Sequence, residues 1–261
     1  MENTNELYEK LSLRYMADTA RDDVEKHLEM ARRLGRAPAR IAVEATIERH
    51  SVSVTVCARD RTGLFSRIAG VFALHDLSVL DARIYTWKNG LALDIFKVYL
   101  GSGNRVGGMD WKRVEQDLCD ALSGAMALDT LLSGRVRTEE REGPANGMQP
   151  RVILDSETLE QYTLVEVRAA DSHALLYRIT RALSASRVDI VEARISTFGS
   201  RCLDVFRVRE PGGGRIRAAR RLAAIRESLL AAVGSGPAGA GGEWSGAGVF
   251  TAPGSGARRI A

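Results

Sequence analysis

Two short stretches of this 261-residue chain carry residue types suited to holding a small zwitterion. The first is Asp60-Arg61-Thr62-Gly63-Leu64, at the mouth of a segment with helical spacing. The first amides of a helix lack intrahelical acceptors and sit at the positive end of the helix dipole. Those of Thr62, Gly63 and Leu64 can therefore receive a carboxylate. Gly63 has no Cβ to keep a ligand off the backbone. Asp60 can accept from an amino group or cap the helix, and the two roles are compatible. Arg61 reads as a solvated loop residue beside them. The second stretch is Asp171-Ser172-His173-Ala174. Here Ala174 stands where the first stretch has Gly63 and puts a methyl group in the path of backbone approach. This stretch is a weaker site or a structural partner, with His173 as a loop residue.

Other chemistry finds little support. Cys57, Cys119 and Cys202 are far apart with no CxxC, which fits reduced structural thiols. The four histidines form no metal-ligand pattern, and His75-Asp76 is the one His-Asp pair. No Ser/His/Asp set or phosphate loop is present, so no catalytic residue, metal or cofactor is expected. The net charge of +4 comes from 37 basic and 33 acidic residues, interleaved as on a solvated surface. Phe96 and Phe206 lie in no RNA-binding aromatic signature, so nucleic acid is not an expected partner. No apolar run approaches the roughly 20 residues of a membrane span, and the polar N-terminus lacks a signal-peptide core. The expectation is a cytoplasmic protein with no membrane partner.

The two stretches belong to two copies of one unit. At an offset of 111 residues, Asp60 aligns with Asp171, Val54 with Val165, Leu64 with Leu175 and Ile68 with Ile179. Ala82-Arg83-Ile84 then aligns with Ala193-Arg194-Ile195. The second copy drops one residue in a turn, after which Leu93, Asp94, Phe96 and Val98 continue onto Leu203, Asp204, Phe206 and Val208. A gap confined to a turn is what two copies of one fold produce.

The elements follow from periodicity. Val52, Val54 and Val56 alternate as in a strand with one buried face. Leu64, Ile68, Val71 and Phe72 have helical spacing. Two β-branched and aromatic runs joined by Lys88-Asn89-Gly90 predict a hairpin. Trp111, Val114, Leu118 and Leu122 return to helical period. Each unit is β-α-β-β-α with a further strand in front, and the sheet is completed from that front strand. The fold class is therefore α+β, with two ferredoxin-like sandwiches, each an antiparallel sheet with two helices on one face. The predicted divisions are a helical segment 1–36, a first unit 37–124, a charged linker 125–148, a second unit 149–233 and a disordered Gly/Ala-rich tail 234–261. Asp94 and Asp204 recur between apolar neighbours. The pattern predicts cross-strand pairs with Arg83 and Arg194 on an exposed sheet face. The other reading places these residues where the two units meet.

The doubled phrase Ala-Arg-Ile-x-Thr followed by Leu-Asp-x-Phe-x-Val, with Asp-Arg-Thr-Gly-Leu before its first copy, resembles the tandem ACT domains of bacterial PII uridylyltransferase/uridylyl-removing enzymes. The resemblance starts near Leu11 and runs to the end of the second unit; the segment from Arg14 to Gly35 looks like the helical connector entering the ACT pair. It implies ACT domains that bind an amino acid, glutamine in that family, at the loop before the first helix. The second loop departs from the family pattern at Ser172, His173 and Ala174. The family's nucleotidyltransferase and phosphohydrolase signatures have no counterpart here. The resemblance thus implies a sensor of nitrogen metabolism working by ligand-dependent conformational change. The alternative is the regulatory part of such an enzyme, partnered by its catalytic part or by a PII protein. It also implies pairing of the ACT units within the chain or in a homodimer.

Overall fold

The computed structural model describes residues 4–45, 51–100, 108–139, 149–198 and 200–234. The expected tail beyond residue 234 lies outside them. Strands β1 (Ala39–Ala45), β2 (Ser51–Arg59), β3 (Leu77–Thr86) and β4 (Leu91–Leu100) come from the first repeat. Strands β5 (Arg151–Asp155), β6 (Thr163–Ala170), β7 (Asp189–Phe198) and β8 (Arg201–Arg209) come from the second. They form one antiparallel sheet in the order β1-β2-β4-β3-β7-β8-β6-β5. The architecture is α+β, and the strand in front of each repeat lies at an outer edge, as its position in the sequence required.

The halves join where β3 meets β7, with Asp81 opposite Arg194, Ala82 opposite Ala193 and Arg83 opposite Glu192. Ala82 and Ala193 are equivalent positions of the repeat, so the contact is isologous about a local two-fold axis. The repeated phrase is the seam. It places acid opposite base on either side of two fully buried alanines.

Helices α4 (Leu64–Leu74), α5 (Trp111–Ser123), α7 (Leu175–Ala185) and α8 (Ala219–Gly234) share one core with the sheet. Alternation decides which strand residues join them. Ala92, Phe96, Val98 and Leu100 of β4 enter this core, and Phe96 meets Phe72 edge-on with ring centroids 5.3 Å apart. Leu91 and Leu93 point the other way, into a second core. That core is closed by the N-terminal helices α1 (Thr4–Tyr8), α2 (Leu13–Asp18) and α3 (Arg21–Leu34), which contribute Leu7, Tyr15, Val24 and Leu28, with Leu11 from the connection between the first two. Buried Tyr15 anchors this layer, with its hydroxyl 2.7 Å from His27 Nδ1 and its ring edge-on to Tyr85 and Trp87.

A helix stands where a charged linker was expected. Helix α6 (Leu128–Glu139) buries Leu128 and Leu132, and its Asp129 accepts from the Tyr177 hydroxyl at 2.7 Å and pairs with Arg181 at 2.7 Å. The leucines four apart were the overlooked signal, and the tie to α7 is tertiary. Gly70 permits this packing, because a Cβ there would lie 2.9 Å from Tyr177 Cδ2 and 3.0 Å from Leu128 Cδ1. Among the described residues, no helix is long and apolar enough to cross a membrane.

Candidate ligand-binding cleft at the seam

The two predicted loops have the same backbone design. Gly63 has φ 79° and Ala174 has φ 55°, both left-handed, and each precedes its helix as the N-cap residue. In the first loop the Leu64 amide donates to Arg61 O and the Arg67 amide to Gly63 O, both at 3.1 Å. In the second, Leu175 donates to Ser172 O and Arg178 to Ala174 O, again at 3.1 Å. The amides of Asp60 and Asp171 each donate across to the β-hairpin turn, to Gly90 O and Ser200 O at 2.9 Å. Two expectations are corrected here. The Leu64 amide is taken up within the turn by Arg61 O, although Leu64 itself lines the cleft at the seam. Asp60 does not cap the helix, because its carboxylate accepts from the Thr86 hydroxyl at 3.1 Å.

The surroundings of the loops differ. Arg61, Asp60 and Thr62 are exposed, and Arg61 reaches over to donate to Leu122 O. In the second loop Arg178 donates to Ser172 Oγ and His173 O at 2.8 Å and to Ala232 O at 3.1 Å. One guanidinium thus laces Ser172 and His173 to helix α8. Ala174 is half-buried and packs against the core. Asp171 is exposed overall, yet its carboxyl is raised by partial burial, offset by the Ser172 amide.

The first loop opens on a cleft of about 960 Å³ at the seam. Asp60, Gly63, Ser66 and Asp94 line it from the first half; Ser184, Arg187 and Asp189 line it from the second. Ser12 and Arg14 add a third side from the N-terminal helices. Asp171, Ser172, His173 and Ala174 do not line it. Arg14 lies 5.3 Å over the Tyr85 ring, donates to Val191 O at 3.1 Å and sits 3.7 Å from Glu192 Oε2. The connector therefore touches both halves beside the cleft. A second cleft of about 730 Å³, between β1 and α5, contains none of the predicted residues. There Glu115 caps the sheet edge, taking the Ile41 amide and Arg40 at 2.9 Å each.

The expected surface pairs of Asp94 with Arg83 and Asp204 with Arg194 do not exist. Asp94 and Asp204 are each 1% exposed, while Arg83 and Arg194 lie on the opposite face beside Asp81 and Glu192. Asp94 stands opposite Val56 and Ile84, on the same strand face as Phe96. One oxygen of each aspartate, Oδ1, has no hydrogen-bond partner. Burial, with Asp60 nearby, pushes the Asp94 carboxyl well above the usual range, against the Tyr85 amide that favours its charge. Burial and Asp171 raise Asp204 to about 7, against the Ser196 amide. Asp189 is raised by its partial burial, an effect that Arg209 opposes and Asp60 reinforces. The sequence pattern singled out Asp94 but put it on an exposed face, although its parity with Phe96 and Val98 signals burial; the other reading, with this acid where the two units meet, matches its place at the cleft. The pattern had no route to Arg14, Arg187 or Asp189, which arrive from distant elements. Among the described residues no group of three His, Cys, Asp or Glu side chains is arranged to hold a metal ion.

Comparison with known proteins gives a consistent result. The chain is 37% identical over 212 residues to the bifunctional uridylyltransferase/uridylyl-removing enzyme of Rhodospirillum rubrum, which covers 80% of this chain and 22% of that enzyme. It is 36% identical over 209 residues to the enzyme of the same name from Gluconobacter oxydans, covering 77% and 22%. For the Caulobacter vibrioides enzyme the identity is 31% over 222 residues, covering 84% and 23%. The chain thus resembles a part of these enzymes and spans about a fifth of their length. No protein-family model matches it.

Proposed function

We propose that the chain is an amino-acid-sensing regulatory unit built from two ACT-type modules, and that it forms the regulatory part of an enzyme of the uridylyltransferase/uridylyl-removing kind. The seam cleft carries this reading. It brings together the first loop, the facing end of α7 and the connector helix α2, so a small ligand there would contact both modules and the segment entering them. Gly63 allows backbone approach, the amides at the start of α4 attract a carboxylate, and Asp60 and Asp94 attract an ammonium group. The boundaries 37–124 and 149–233 describe the two modules, with α6 as a strut between them. Asp171, Ser172, His173 and Ala174 serve as the structural counterpart of the first loop. Glutamine is the ligand suggested by the similarity, and a PII signalling protein or the catalytic part of such an enzyme is the partner.

The chain alone should neither transfer UMP to a PII protein nor remove it. Glutamine at millimolar concentration should raise the melting temperature, because a ligand that binds only the folded state stabilises it. Calorimetry should then show Gly63→Ala binding on the order of tenfold more weakly, the effect of a methyl clash in a tight site. Ala174 shows that alanine is accepted in this turn, and a methyl at position 63 would meet the flexible ends of Arg67 at 2.9 Å and Ser184 at 3.2 Å, so the variant should fold with a local side-chain shift. No heat with any common amino acid would end the sensor reading. Unchanged affinity in Gly63→Ala would remove the ligand from the helix mouth.

A further inference from the structure

Asp94 presents a problem that the fold leaves unsolved. A carboxyl that is 1% exposed has one oxygen with no partner, and its charged neighbour Asp60 has the same sign. An unpartnered buried carboxyl is costly and is rarely retained without compensation. Asp94 also lines the seam cleft, together with Asp60 and Asp189. Asp60 and Asp94 line the first-half wall and Asp189 the facing one, among the guanidinium groups of Arg14, Arg61, Arg187 and Arg209, so the cleft offers both charges, and the three acids form no metal-ligand group. Asp60 already accepts from Thr86 and Asp189 faces Arg209 at 3.6 Å, which leaves Asp94 as the acid with open capacity.

Resting on the amino-acid reading of the cleft, we infer that Asp94 is the group that recognises the ligand's ammonium. The seam site therefore selects primary amines carrying a carboxylate over the same molecules lacking the amine. The ammonium supplies the hydrogen bonds and positive charge that the protein withholds from Asp94, and the carboxylate faces the start of α4 and the Arg14 side of the cleft. Asp204 is the matched control. It occupies the equivalent position of the second repeat with the same burial and the same unpartnered oxygen, but it does not line this cleft.

The test uses the full chain, titration calorimetry, and two probes: glutamine and 4-carbamoylbutanoate, which is glutamine without its amino group. Urea unfolding is measured in parallel. The wild type should bind glutamine on the order of 10- to 100-fold more tightly than 4-carbamoylbutanoate, the range for one charge-assisted hydrogen bond. Asp94→Asn should fold at least as stably as wild type, lose most of that preference and bind 4-carbamoylbutanoate as before. Asp204→Asn should gain stability near pH 8 and keep the wild-type affinity for glutamine. Glutamine binding unchanged in Asp94→Asn, or an equal loss for both probes, overturns the inference and leaves the sensor reading standing. Should Asp94→Asn not fold, equal wild-type affinities for the two probes overturn it instead. A wild type that binds no common amino acid overturns both.

Discussion

Replacing Asp204 by asparagine separates the cost of burying a carboxyl from every other contribution to stability. In the folded protein burial and Asp171 hold this group protonated up to about pH 7. In the unfolded chain it releases its proton near pH 4. Between those values the folded state binds the extra proton, so stability falls as pH rises and the loss is complete above about pH 7. The full difference corresponds to about 4 kcal/mol, at ~1.4 kcal/mol per tenfold change in the proton equilibrium. Asparagine does not titrate and has the same shape. Its amide still has unmet hydrogen-bonding capacity, which costs roughly 1–3 kcal/mol. Asp204→Asn should therefore match or trail the wild type near pH 4.5 and exceed it by roughly 1–3 kcal/mol near pH 8. Urea unfolding of both proteins from pH 4.5 to 8 gives the difference curve, in which the titrations they share cancel. A difference that stays flat across this range, or a variant less stable at pH 8, would refute the argument that Asp204 is a buried acid without a counter-charge.

Ala174→Gly relieves a left-handed alanine that costs roughly 1–2 kcal/mol, less the lost methyl packing, so the variant should unfold about 0.5–1 kcal/mol later in urea than wild type. Gly70→Ala drives a methyl into Tyr177 and Leu128 at 2.9–3.0 Å, and should lower stability by about 1–3 kcal/mol in the same assay while leaving the far-ultraviolet spectrum unchanged.

The sequence by itself determined the repeat, the element order and most of the core. A buried face repeats every two residues in a strand and every three to four in a helix, and Val52-Val54-Val56 and Leu64-Ile68-Val71-Phe72 show both periods without interference. It also paired Gly63 with Ala174 through the repeat, whereas the left-handed backbone that both adopt emerged only in the folded chain. Similarity to part of the uridylyltransferase/uridylyl-removing enzymes was legible for the same reason, being carried by local phrases. Three things were decided only by the tertiary structure. The charged phrase around Ala82 and Ala193 became the seam because two sheet edges with acid opposite base could pair there. Asp94 and Asp204 went inside because the helix layer covers the strand face that their parity assigns them, with Asp94 meeting the seam cleft and Asp204 not. Finally, the cleft belongs to no single segment. Arg14, Gly63, Asp94 and Arg187 are brought together by long-range packing, and one loop opens on the cleft while the other is laced down by Arg178 and α8. Local pattern records what each residue prefers to touch, and only the assembled sheet and helices determine which distant residue it meets.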